Sequence, residues 1–103
     1  MVLELRPNCE ACDKDLPPSD VNARICSYEC TFCVDCVDQV LKNVCPNCGG
    51  GFTPRPIRPS KEWVKGVYAG AQPPSEKRVH MKRSVDEAAA LAAKVGDVKP
   101  EDR

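Results

Sequence analysis

Cys9-Glu10-Ala11-Cys12, then Cys26-Ser27-Tyr28-Glu29-Cys30-Thr31-Phe32-Cys33-Val34-Asp35-Cys36, then Cys45-Pro46-Asn47-Cys48 contain all 8 cysteines of this 103-residue chain. The linear pattern is C-x2-C-x13-C-x3-C-x2-C-x2-C-x8-C-x2-C. Read as four pairs, it matches the ligand demand of two tetrahedral four-thiolate metal sites, with no cysteine left over. A C-x2-C pair is a knuckle whose tight turn brings both sulfurs to about 2.3 Å from one zinc ion. Each site therefore needs two pairs.

Working outward, the length allows one small domain and an extension. The cysteine region, residues 1–58, is too short to rest on apolar burial alone, and aromatic residues make up only 5% of the chain. Structural zinc can supply the deficit, contributing on the order of 10 kcal/mol of apparent folding free energy. The N-terminus, Met1-Val2-Leu3-Glu4-Leu5-Arg6-Pro7, lacks the basic region and apolar run of a secretory signal. No apolar run is long enough to span a bilayer, so no membrane partner is expected. The expected location is cytoplasmic. Thiols stay reduced there, which favours metal over disulfides.

Charge is unevenly placed. Residues 1–53 hold 4 Lys/Arg and 8 Asp/Glu, residues 54–83 hold 8 and 2, and residues 84–103 hold 3 and 5. Four thiolates around each zinc would make the head more anionic still. The basic stretch that follows could fold back on it or stay solvated.

Along the chain, Pro17-Pro18-Ser19-Asp20 signals a turn, and Ile25 to Phe32 suits short strand or hairpin pieces. From Val34 the period turns helical, with Val37, Val40, Leu41 and Val44 on one face, and the helix is expected to stop near Asn43. Gly49-Gly50-Gly51 releases the chain, and Phe52 is placed to fold back as an apolar cover. Residues 59–83 read as a basic extension, in which Trp63 is expected to pack against the head. Residues 84–95 carry a local helix with Ser84 and Glu87 as a capping box and Gly96 as C-cap. Residues 96–103 are expected to fray.

Two ligand pairings fit the spacing. In the interleaved one, Cys9, Cys12, Cys33 and Cys36 share one zinc, and Cys26, Cys30, Cys45 and Cys48 share the other. In the sequential one, the first four cysteines close one site and the last four the second. Interleaving is the favoured expectation. A separate second module would have to close on one short helix between Cys36 and Cys45, with almost no core of its own.

The run Cys30-Thr31-Phe32-Cys33-Val34-Asp35-Cys36, a helix, and Cys45-Pro46-Asn47-Cys48 resembles the second half of a RING finger, with Cys30 where many RING fingers have histidine. The resemblance covers about residues 9–48. It implies a small zinc-stabilised α+β fold, a RING-like, cross-braced zinc finger of treble-clef type. Leu3-Glu4-Leu5-Arg6-Pro7-Asn8-Cys9, Asp15-Leu16-Pro17-Pro18 and Ile25-Cys26-Ser27-Tyr28-Glu29-Cys30 also resemble a family of small bacterial cysteine-rich proteins of uncharacterised function. That likeness runs to about Pro59 and implies a bacterial cytoplasmic origin.

The expected function is a non-catalytic structural zinc module for protein–protein interaction. A site closed by four cysteines leaves no coordination position for water or substrate. The one histidine, His80, lies in the extension and is expected to be a solvated surface residue. Three alternatives stand beside this. Residues 55–83 could bind nucleic acid through Arg55, Arg58, Lys61, Lys65, Lys77, Arg78, Lys82 and Arg83, with Trp63 and Tyr68 stacking. The RING resemblance implies a ubiquitin-ligase-like adaptor, although Glu10-Ala11 and Gly49-Gly50 depart from the residues that such ligases present. The thiolates could also serve as a redox or metal-responsive sensor.

Overall fold

The computed structural model describes residues 2–103. Its centre is a hairpin. Strand β1 (Ala23–Ile25) pairs antiparallel with β2 (Thr31–Cys33) in the register Ala23–Cys33, Arg24–Phe32 and Ile25–Thr31. Ala23 and Ile25 point inward while Arg24 is half-exposed, the alternation of a strand with one wet face. A third strand, β3 (Thr53–Pro54), adds to the other edge of β1, so the sheet order is β2-β1-β3. Pro54 cannot donate a ladder hydrogen bond, which suits an edge.

The chain leaves β2 straight into a helical turn, α1 (Val34–Cys36), with Cys33 as its N-cap. This runs on as a π-helical segment, Val37–Leu41. The apolar face is the expected one: Val37, Leu41 and Val44 are buried and Val40 half-buried. The helix ends slightly earlier than expected. Lys42 (φ 50°) and Asn43 (φ 61°) turn left-handed, and the Lys42 and Asn43 amides both donate to the Val37 carbonyl. Asparagine tolerates this conformation better than most residues. The Asn43 Oδ1 also accepts from the Phe52 amide at 2.9 Å, holding Phe52 edge-on to Phe32 with ring centroids 5.4 Å apart. Phe32, Leu5, Leu16, Leu41 and Val44 are the largest buried apolar side chains, and Phe32, Leu16 and Leu41 share one core cluster with five of the thiols.

The extension does not stay apart from the head. Arg55 is buried and donates to the Arg6, Leu16 and Pro17 carbonyls at 2.9, 3.1 and 3.0 Å. Arg58 ties the Leu3 and Gln72 carbonyls together, both at 2.6 Å. Residues 75–83 then run back along the head as a strap. The Ser75 amide donates to Leu5, the Asn8 side chain bonds the Val79 carbonyl and amide, and the Met81 amide donates to Glu10. Arg83 reaches the Pro46 carbonyl at 2.9 Å.

Helix α2 (Val85–Val95) follows, with both hydrogen bonds of the Ser84–Glu87 capping box in place. Gly96 is its C-cap but keeps a right-handed φ of −58°. Only Ala88 and Ala92 of this helix are buried; it packs on the π-helical segment. Residues 96–103, expected to fray, instead carry a 3-10 turn (Pro100–Asp102). The Arg103 guanidinium donates to the Asn43 and Gly49 carbonyls at 2.8 and 3.3 Å. Carbonyls left free by two left-handed turns, which sequence periodicity does not register, give the C-terminus this anchor. Among the described residues, no helix is long and apolar enough to cross a membrane.

Candidate metal centre

Two knuckles share one local design. In the first, the Cys9 amide donates to the Lys14 carbonyl and the Asp13 amide to the Cys9 carbonyl, at 2.8 and 2.9 Å. In the second, the Cys45 amide donates to Gly50 and the Gly49 amide to Cys45, both at 2.8 Å. Each turn closes with a left-handed residue directly after its second cysteine: Asp13 at φ 65° and Gly49 at φ 78°. Glycine takes that conformation freely, and aspartate is among the few other residues that visit it. Backbone amides then turn toward the sulfurs, Cys12 N to Cys9 Sγ at 3.5 Å and Gly50 N to Cys48 Sγ at 3.4 Å. Such donors favour the thiolate.

The other two pairs come from the fold. Cys33 and Cys36 sit at the junction of β2 and α1. Cys26 and Cys30 flank the β1–β2 loop, closed by Cys26 N to Cys30 O at 3.2 Å, with Glu29 left-handed at φ 66°. The Tyr28 amide and the Asn47 Nδ2 supply N–H···S contacts, each 3.3 Å, to Cys26 and Cys30.

Folding brings the first and third pairs together. The sulfurs of Cys9, Cys12, Cys33 and Cys36 all lie within 4.8 Å of one another, and Cys12 Sγ to Cys33 Sγ is 3.8 Å. Four sulfurs placed tetrahedrally at about 2.3 Å from zinc are about 3.8 Å apart, so the donor set fits such an ion. In the second cluster, Cys26, Cys45 and Cys48 are mutually within 4.8 Å. Cys30 stands outside that set, although Cys45 and Cys26 both act on its thiol. All eight thiols are free. The two clusters are therefore a group of four and a group of three, each able to hold a metal ion.

Burial and thiol–thiol hydrogen bonds shift the thiols in different directions. Hydrogen bonding with Cys45 outweighs burial and brings Cys30 down to about 5. The same hydrogen bond, together with burial, pushes Cys45 upward. Burial raises Cys26 to about 11. In the first cluster, burial raises Cys9, and burial with the Cys33 hydrogen bond raises Cys36. Cys12 falls despite its burial, because the Lys14 amide and the neighbouring thiols stabilise its thiolate. A bound metal would override these shifts by drawing every ligand to the thiolate form.

Several supporting residues gave no signal in the sequence. Glu10, inside the first knuckle, is 3% exposed. Its carboxylate accepts from the Thr31 amide at 2.5 Å and from Arg6 at 2.8 Å. Burial raises its pKa, against the opposing pull of the Thr31 amide and Arg6. Arg6 keeps its charge: the hydrogen bonds to Glu10 and Glu4 outweigh the cost of burial. A glutamate between two cysteines reads as a surface charge until the partner at position 6 is seen. Asn8, Arg55 and Asn47 are likewise internal ties written in polar letters.

His80 stands 57% exposed with Nε2 3.7 Å from Asp13 Oδ1, apart from both cysteine groups. Asp13 and Asp15 both pair with Arg78. Trp63 does not pack against the head as expected and is 77% exposed. The interior is already filled by Phe32 and Phe52, and the chain around Trp63 closes a turn of its own.

Comparison with known proteins adds family but no activity. A family described as "Protein of unknown function (DUF1272)" matches residues 2–58. "Uncharacterized protein R02474" of Rhizobium meliloti (strain 1021) is 56% identical over 59 residues, covering 57% of this chain and 70% of that protein. No solved structure matches. The match takes in all eight cysteines and more than half of the chain, so the chain belongs to the DUF1272 family of cysteine-rich proteins.

Proposed function

We propose that this protein is a non-catalytic, two-zinc interaction module of the cytoplasm, with a RING-like cross-braced head of treble-clef type. One observation supports the reading: the first cysteine pair gathers with the third, and Cys26 of the second pair gathers with the fourth. Two ions held in that interleaved order clamp one small body from both sides, which suits a head with so little apolar core. Cys30 completes the second site once a metal draws it toward Cys48. Four thiolates per ion leave no open position for a substrate, so the metals act as structure and the surface does the work.

The adaptor reading is less well supported. Glu10 occupies the place between the first two ligands and is turned inward to Arg6 and Thr31. Nucleic-acid binding has fewer free cations than the sequence offers. Arg55, Arg58 and Arg83 are bound to backbone carbonyls, and Arg78 is paired with Asp13 and Asp15.

Titration of the reduced, metal-free chain with cobalt tests the metal part. Two equivalents should bind, with the absorption of tetrahedral thiolate coordination. A spectrum typical of octahedral coordination would contradict it. Cross-linking of the tagged chain in its host, with and without chelator, tests the interaction part. A protein partner lost on chelation is expected; metal-dependent turnover of a substrate would overturn the reading.

A further inference from the structure

Residues 59–72 form a closed loop whose apolar side chains face outward. Its base is tied by Arg58 to the Gln72 carbonyl at 2.6 Å and by the Ala69 amide to the Pro59 carbonyl at 2.8 Å. At its tip, Val64 and Val67 bridge across a turn, with Val67 N to Val64 O at 3.1 Å and Gly66 at φ 81°. Glycine at that third position is what such a turn requires. The Gln72 side chain donates to the Gly66 carbonyl at 3.0 Å and accepts from the Tyr68 amide at 3.3 Å, so the tip is braced from within.

This braced loop leaves its largest apolar groups uncovered. Trp63 is 77% exposed, Val64 65% and Val67 49%. They share one groove of about 230 Å³ with Val2, itself 63% exposed. Two exposed lysines belong to the same loop: Lys61, whose Nζ lies 5.9 Å from the Trp63 ring centroid, and Lys65 at the turn. The one carboxylate in the loop, Glu62, is exposed and is engaged by the Gly66 amide at 3.0 Å. A braced apolar tip with two exposed lysines beside it, its one acid held by a backbone amide, is not explained by the packing of this chain.

We propose that this loop is a peripheral contact for an anionic lipid surface, a role separate from the zinc head's interaction with proteins. Trp63 lies at the headgroup boundary, where an indole keeps its N–H wet and its ring apolar. Val2, Val64 and Val67 enter the acyl edge beside it. Lys61 and Lys65 meet lipid phosphates, each adding attraction near a negatively charged leaflet. The aliphatic character of the patch favours lipid over single-stranded nucleic acid, since valines offer no face for a base to stack on. The bracing means that little ordering entropy is lost on contact.

Trp63 is the 1 tryptophan of the chain, so its fluorescence reports this site alone. The zinc-loaded full chain is titrated with vesicles of phosphatidylglycerol and phosphatidylcholine in equal parts, with pure phosphatidylcholine vesicles, and with oligodeoxythymidine. A blue shift with the anionic vesicles, weakened by salt and absent with pure phosphatidylcholine, is expected. The double change Lys61→Glu, Lys65→Glu should weaken vesicle partition by more than about tenfold. Trp63→Ala, followed by vesicle co-sedimentation, should weaken it as well. No emission change with anionic vesicles would overturn the proposal. So would quenching by oligodeoxythymidine without a vesicle response, or sedimentation that these variants leave unaltered. Zinc content and far-ultraviolet circular dichroism of the variants separate loss of the surface from loss of the head.

Discussion

The two cysteine clusters use the same knuckle and differ in what closes it. In the first, the knuckle at Cys9 and Cys12 meets Cys33, the last residue of β2, and Cys36, the last residue of α1, which follows β2 directly. In the second, the knuckle at Cys45 and Cys48 meets Cys26 and Cys30 on a five-residue hairpin end, and Cys30 stays outside the close group. A knuckle is a local unit, written in a few residues and closed by its own hydrogen bonds. The pair that completes it depends on tertiary structure, and a strand–helix junction fixes two sulfurs more tightly than a loop does. The strap reinforces the contrast. Asn8, Glu10 and Asp13, all within or beside the first knuckle, hold Val79, Met81 and Arg78.

The harshest way to break the comparison is to remove both metals. Chelation of the reduced protein should unfold the head as a unit, because zinc contributes on the order of 10 kcal/mol to domains of this kind. Collapse of amide chemical-shift dispersion checks it; a head that stays folded without metal would show that its apolar core suffices.

A finer break separates the clusters. Cys33→Ala should abolish the first site and the fold with it. Cys30→His should retain two metals, because an imidazole nitrogen can serve as a ligand at about 2.0–2.1 Å and the hairpin end can adjust. Metal analysis with circular dichroism distinguishes the two. Equal loss in both variants would erase the difference in rigidity.

Next comes Arg55→Ala. It removes one buried guanidinium from three carbonyls on the first-knuckle side and should cost about 3 kcal/mol by denaturant unfolding of the zinc-loaded chain. Asn8→Ala should be milder, about 1–2 kcal/mol, and should speed hydrogen exchange at Val79 and Met81 more than at Cys45. Uniform acceleration would mean that the strap is not held at the first knuckle.

The pH dependence sharpens the comparison at the smallest scale. Cys9, Cys36, Cys26 and Cys45 all sit above the ordinary thiol range, for the reasons of burial and thiol–thiol hydrogen bonding given above. Metal must displace those protons, so zinc affinity should rise with pH through neutrality. Cys30, brought down to about 5, adds little to that slope at neutral pH. Calorimetry in buffers of different ionisation heat counts the protons released; a release near zero at neutral pH would contradict the assignment.

Much of this architecture was legible from residue spacing, because knuckles, strand or hairpin pieces over Ile25 to Phe32, and the Val37–Val44 face are local patterns. The Ser84–Glu87 cap was legible for the same reason. The strap was not. Its contacts join Asn8 to Val79 and Asp13 to Arg78, more than sixty positions apart, through polar residues that sequence alone reads as solvated. Trp63 failed in the opposite direction: a large apolar residue implies burial, yet the small head has no room left for it. Cys30 shows a third limit. Spacing assigns it a role, while its placement depends on a loop.

Native mass spectrometry of the purified chain, beside its denatured mass, tests the central claim most directly. The account predicts two zinc ions per chain, with all 8 thiols reduced. One zinc, iron with sulfide, or a metal-free chain joined by disulfides would contradict it.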